Sequence, residues 1–135
     1  MIGYFFLYSF LGWIIDTTYR SFVDSAFAPG PYLHPLPFTP MYGFGALLIL
    51  LTYPSVKSLP LWQLFFFYAI SLSFFEYMGA IFSLSILGVR LWDYSDGFLN
   101  IQGHTDLLHG LAWGALALLM IKCIHPFFEH PKLPL

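Results

Sequence analysis

Charge is the scarcest property of this sequence. Of 135 residues only 9% are Asp, Glu, Lys or Arg, whereas 59% are hydrophobic. A water-soluble domain carries about a quarter charged residues, so this polar surface cannot cover a body surrounded by water. There is no basic block, and the formal net charge is −2; nothing here offers nucleic acid an electrostatic footprint. The single cysteine, Cys123, excludes an internal disulfide. It lies in an apolar run and is expected to be a buried, inert thiol. No glycine-rich phosphate loop occurs, which removes ATPase chemistry, and no ten-residue alternation of a membrane barrel is found. The first apolar segment has no basic stretch before it and no small-residue cleavage site after it. It reads as a retained helix rather than a signal peptide.

What the chain has instead is apolar length. A bilayer core of about 30 Å takes roughly 20 helical residues to cross. The first candidate span runs from about Ile2 to Phe22, with Asp16, Arg20 and several aromatics at its outer end. The prolines of "DSAFAPGPYLHPLPFTP" then forbid a helix, because proline lacks the amide donor and clashes with the preceding turn. Thr39-Pro40 reads as an N-cap followed by a proline at the first helical position. It opens a second span, from about Pro40 to Val56, that stops near Pro54. "SVKSLP" is a tight turn. The third span, about Leu61 to Gly88, is long enough to need a tilt or a kink. The fourth runs from about Asp106 to Ile124, and His125-Pro126 is expected to end it, since a residue before proline avoids the helical region. The expected fold is an all-α membrane protein: a domain of four transmembrane helices over residues 1–126 and a short C-terminal tail over 127–135.

Four crossings put both termini and the Lys57 turn on one side, and the two long loops on the other. Lys57, Lys122 and Lys132 then share the side of the termini, with Arg20 and Arg90 opposite. The positive-inside rule favours cytoplasmic termini and a multi-pass protein of the cell membrane.

The polar residues are not scattered. Ser9, Gly12, Asp16 and Arg20 fall three or four apart on the first span; Ser73, Glu76, Ala80 and Ser83 do so on the third; Asp106, His109, Trp113 and Ala117 on the fourth. Each set occupies one helix face. Lipid penalises such groups, so the three stripes are expected to face each other. With a rise of about 1.5 Å per residue, Asp16 lies roughly 9 Å and Glu76 roughly 18 Å below their helix ends. A polar pocket is therefore expected toward the two long loops, with Arg90 over its mouth.

Each group also has a plainer reading. Asp16 and Arg20 form an i,i+4 pair of a kind common on helices. Glu76 can be a neutral structural side chain bonded to a neighbouring helix, although intramembrane ionisable groups are more often functional. Trp92, Tyr94 and Trp113 serve equally as interfacial anchors or as site walls. His104, Asp106 and His109 are zinc-type ligands, but positions five apart on a helix do not share a face, and His104 would have to bend back from the loop. No metal or other cofactor is assigned.

The motifs "FLYSFLGWIIDTTYRS", "PMYGFGALLI", "FFEYMGAIFSLSILGVRLWDYSDGFLNIQG" and "WGALALLMIKCIHP" resemble, in order and spacing, the ABC-transporter type IV family, also called CmpB-like. This is a family of small bacterial multi-pass membrane proteins. The resemblance covers nearly the whole chain. It rests on polar and glycine residues: Gly12-Trp13, Pro40 to Gly43, Glu76-Tyr77, and Arg90 to Tyr94 with Asn100 and Gly103. The family's usual pattern has glutamate at the place of Asp16 and arginine at the place of His104. It also has a more apolar stretch where this chain has Thr105 to His109. Residue chemistry and resemblance together give Asp16, Arg20, Tyr42, Glu76, Arg90, Trp92, Asp93, Asn100 and His109 as candidate ligand-binding residues.

The resemblance implies a permease-like transport component, here one that binds a small polar or ionic solute in the intramembrane pocket. Four spans make a thin wall around a pathway, so transport implies a homo-oligomer or another membrane subunit, and ATP energy implies a separate ATPase. Two other readings stay open. One is a membrane-embedded enzyme with Glu76 and His109 as acid and base on a lipid-linked substrate. The other is a non-catalytic assembly or regulatory subunit whose stripes serve only helix association.

Overall fold

The computed structural model describes residues 1–24 and 37–129. Most of the proline-rich loop, at 25–36, and the end of the tail, at 130–135, lie outside the described residues. Among the described residues the architecture is helical, with no strand and one isolated bridge between Ile101 and Thr105. Helix α1 spans Ile2–Asp24 and α2 spans Pro40–Val56. Helix α3 covers Leu61–Phe82 and runs on as a π-helical turn, Ser83–Leu87. Helix α4, Leu107–Leu119, is continued by a π-helical turn, Met120–Ile124, and by α5, His125–Glu129.

Two of these helical runs, Leu61–Leu87 and Leu107–Glu129, are long and apolar enough to cross a membrane. Helix α2 is apolar but has 17 residues, and α1 carries Asp16, Arg20 and Asp24 within its 23. The third run ends as its composition requires. Gly88 takes the left-handed conformation (φ 68°) that glycine adopts without a Cβ clash, and its N–H bonds back to Ser83 O.

Three local expectations are corrected. Pro126 does not end the last helical run, which continues to Glu129. The π-helical turn just before it shifts the bonding pattern, with His125 N–H reaching Met120 O, and this widening lets a helix pass a residue that lacks a donor. Thr39 does not cap α2 with its side chain. Its Oγ1 is buried without a hydrogen-bond partner, while its backbone carbonyl accepts from Tyr42 N–H at 3.0 Å. Cys123, within the π-helical turn Met120–Ile124, is exposed rather than buried.

By packing, the chain divides into two compact units. The first comprises Met1–Pro54 with Gly79–Leu91. In it α1 and α2 meet through small residues: Gly12 lies against the Tyr42 ring, and Gly43 against Ser9 and Phe5. Thr39 N–H ties the start of α2 to Ser9 O at 3.1 Å. The second unit comprises Ser55–Met78 with Trp92–Leu135. There α3 and α4 run antiparallel, with Gly110 opposite Ser73 and Gly114 opposite Phe65 and Ala69. Side chains at four-residue intervals alternate in fate along α3. Leu64, Tyr68, Leu72 and Glu76 are buried, whereas Trp62, Phe66, Ile70, Phe74 and Met78 are exposed. The outward face of this helix is thus wholly apolar and its inward face carries a carboxylate. That is the reverse of a helix in a water-soluble domain.

Candidate functional site

The second unit is built around Glu76, which is 2% exposed. Its Oε2 accepts the Trp113 indole N–H at 2.8 Å and the Thr105 hydroxyl at 3.3 Å. The Tyr94 side chain hydrogen-bonds the same carboxylate, and His109 is its ionisable neighbour. A buried carboxylate is costly unless its oxygens are satisfied, and here the donors come from α4 and from the loop that precedes it.

Asp106 organises that corner. It is the N-cap of α4, with extended backbone (φ −147°), and its Oδ1 accepts the His109 N–H at 2.8 Å. An acidic cap satisfies an orphan donor and suits the positive end of the helix. The same Oδ1 lies 2.6 Å from His109 Nδ1. A carboxylate can only accept, so Nδ1 carries the proton in this contact. The Tyr94 ring stacks on this imidazole with centroids 3.8 Å apart and planes 8° from parallel. The ring is therefore held in position from two sides.

The loop over this corner is laced to itself. Tyr94 N–H bonds Gly103 O at 2.8 Å, Ile101 N–H bonds Thr105 O at 2.8 Å, and the Trp92 indole N–H bonds His104 O at 2.9 Å. Asn100 is the clasp. Its amide donates to Ser95 O and Gly97 O, and its Oδ1 accepts Gly103 N–H at 3.0 Å. Asp93 Oδ1 closes a turn by accepting Ser95 N–H at 2.9 Å and the Ser95 hydroxyl. Tyr77 on α3 donates to Gln102 Oε1 at 2.6 Å, and the His104 ring packs edge-on against Tyr77.

A family model described as "Putative ABC-transporter type IV" matches residues 3–134. The chain belongs to that family. No curated protein and no solved structure matches it.

In this ABC-transporter type IV protein the sequence-predicted site residues fall into both units. Glu76, Trp92, Asp93, Asn100 and His109 belong to the second. Glu76 and His109 are brought together; Asn100 and Asp93 bond within the loop itself. Asp16, Arg20, Tyr42 and Arg90 belong to the first unit. There Arg20 Nε pairs with Asp16 Oδ2 at 2.9 Å, Tyr42 covers Gly12, and Arg90 is exposed just beyond the Gly88 cap.

The histidine–aspartate cluster is split. Asp106 and His109 pair, while His104 turns to Tyr77, with its Nδ1 buried and without a hydrogen-bond partner. Among the described residues no three His, Cys, Asp or Glu side chains form a metal-binding group. Thr105 was not among the predicted site residues. A threonine just before an N-cap carries no spacing signal that it will reach another helix. Asp106 was visible as part of the stripe, but its double role as cap and imidazole partner shows only in three dimensions.

Proposed function

We propose that this chain is a permease-like membrane component with four transmembrane spans and cytoplasmic termini, binding a small polar or ionic solute beside Glu76. The observation that carries the reading is the inverted α3, with its aromatic outer face and its buried carboxylate. An apolar outer face suits lipid, and an ionisable group kept inside such a helix is a functional site by default. Family membership supports a transport component of the membrane.

The solute would meet Glu76, His109, Trp92 and Trp113, with the unpartnered His104 Nδ1 as a further polar group in the same corner. Asp16, Arg20, Tyr42 and Arg90 are ligand-binding candidates of the first unit in this reading, and Asp93 and Asn100 shape the loop beside Glu76 in the second. One chain of this size makes a thin wall. Transport therefore calls for a homo-oligomer or another membrane subunit, and ATP energy for a separate ATPase.

The oriented Asp106–His109 pair favours one other reading, a membrane enzyme in which His109 and Glu76 act as base and acid on a lipid-linked substrate. Purified protein in detergent distinguishes the two. A panel of small amines, amino acids and inorganic ions is screened for a rise in melting temperature, on the unaltered chain and on Glu76→Gln. A solute that stabilises the former and not the latter supports the transport site. A panel that stabilises both equally removes Glu76 from solute binding. A response confined to lipid-linked compounds, accompanied by product formation, moves the assignment to the enzyme.

A further inference from the structure

We propose that the loop between α3 and α4 is seated in the membrane boundary, with Phe98, Leu99 and Ile101 immersed in lipid acyl chains. Three independent features of the second unit lead there. The first is the direction of its side chains. Phe98, Leu99 and Ile101 are 75%, 64% and 56% exposed, whereas His104, Thr105 and Asp106 are buried. From Phe98 to Asp106 the loop turns apolar side chains outward and polar ones inward, apart from Gln102, which is exposed and bonded to Tyr77; this is the inversion that α3 displays along Trp62 to Met78.

The second feature is the backbone. In hydrocarbon an irregular segment survives only if its N–H and C=O groups find partners within the protein. Here long bonds cross the loop from Tyr94 to Gly103, from Ile101 to Thr105 and from Leu107 to Phe98. The turns between them close through Gly97 N–H to Tyr94 O and His104 N–H to Ile101 O, and Asn100 holds Gly103. A loop that faces water does not need this degree of self-pairing.

The third feature is conformation. Leu99 (φ 53°) and Gln102 (φ 56°) both occupy the left-handed region, which a branched side chain enters at a cost and which glycine or asparagine would enter freely. The cost at Leu99 is offset when the conformation delivers its side chain to an apolar phase. The depth is consistent as well. Thr105, at the end of the loop, bonds Glu76 in the interior of the Leu61–Leu87 run. Asp93 and Asp96, exposed at the other end, mark the side that reaches headgroups and water. A protein partner is a poorer occupant, because the self-paired backbone leaves few donors for the polar rim of a protein interface.

The proposal rests on the membrane-spanning reading of α3, and the test separates the two. The full chain, with Cys123→Ser, receives a nitroxide label at Leu99→Cys, Phe74→Cys or Asp96→Cys. It is reconstituted in phosphatidylcholine–phosphatidylglycerol vesicles. Power saturation then compares collisions with oxygen, which concentrates in lipid, and with a water-soluble nickel chelate. The expected result is an oxygen-to-nickel ratio at Leu99 close to that at Phe74 and well above that at Asp96. A nickel-dominated Leu99 beside an oxygen-dominated Phe74 overturns the proposal and leaves the membrane span intact. Low access of both reagents at Leu99 means that protein covers it and also overturns the proposal. Nickel access at Phe74 would sink the span itself and the proposal with it. Phe98→Cys and Ile101→Cys give the same readout should Leu99→Cys fold poorly.

Discussion

The Trp113 indole N–H donates to Glu76 Oε2 across 2.8 Å, joining two helices through the one carboxylate buried in α3. A hydrogen bond contributes about 0.5–1.5 kcal/mol net, and a buried acceptor that loses its donor costs about 1–3 kcal/mol. Trp113→Phe is therefore expected to destabilise the protein by about 2 kcal/mol or more, with Glu76→Gln also destabilising. The double variant should recover part of the loss. Denaturation in detergent measures the cycle. Coupling below about 0.5 kcal/mol, the usual error of additivity, would mean that the contact carries no energy.

The antiparallel contact of α3 and α4 makes a graded prediction at its glycines. A Cβ on Gly114 would sit 2.9 Å from the Phe65 backbone oxygen, which cannot move aside, whereas one on Gly110 would sit 2.7 Å from the Ser73 hydroxyl, which can rotate away. Gly3 has nothing within 4 Å. Gly114→Ala should cost about 1–3 kcal/mol through overpacking, Gly110→Ala less, and Gly3→Ala should be neutral or stabilising by up to about 1 kcal/mol from helix propensity. Thermal melts of the three variants rank them. Equal tolerance at Gly114 and Gly3 would show that the two helices do not meet in this register.

Asn100 holds the loop with three hydrogen bonds, to Ser95 O, Gly97 O and Gly103 N. Asn100→Ala should loosen the loop and expose Thr105 to His109. Amide exchange is expected to rise across residues 100–106 while the α1–α2 contact keeps its protection. Asn100→Asp retains the acceptor for Gly103 and should fall between the two. Unchanged exchange in the alanine variant would show that the backbone bonds alone hold the loop.

Topology is tested at two serines. With Cys123→Ser as background, Ser58→Cys in the α2–α3 turn and Ser95→Cys in the α3–α4 loop should react with a membrane-impermeant thiol reagent from opposite faces of the bilayer. Ser58 is expected on the cytoplasmic side. Labelling of both from one face would contradict the spanning of α3.

Local pattern carried much of this fold. Apolar length and the proline breaks place α2 at Pro40–Val56 and end the third run at Gly88, as observed. The three-and-four spacing of Glu76, Ala80 and Ser83 marks the face that is buried. These features are legible because they depend only on a helix's own period and on which side chains lipid tolerates. Glycine and proline also act locally, although Pro126 shows the limit, since a widened turn upstream lets the helix continue.

Of the partners of Glu76, Trp113 was legible as a member of the stripe expected to face it, whereas Thr105 was not. Thr105 and Trp113 stand 29 and 37 residues away, and a helix's period specifies direction about its own axis but not which residue of another helix lies opposite. That register is decided where Gly110 and Gly114 admit Ser73, Phe65 and Ala69. It leaves the Trp113 indole within reach of Glu76. The same packing separates His104 from the Asp106–His109 pair, although the three are close neighbours in sequence. The sequence alone determined which residues share a polar helix face; close packing between helices decided which polar groups meet, because only there do sterics choose among many registers of equal periodicity.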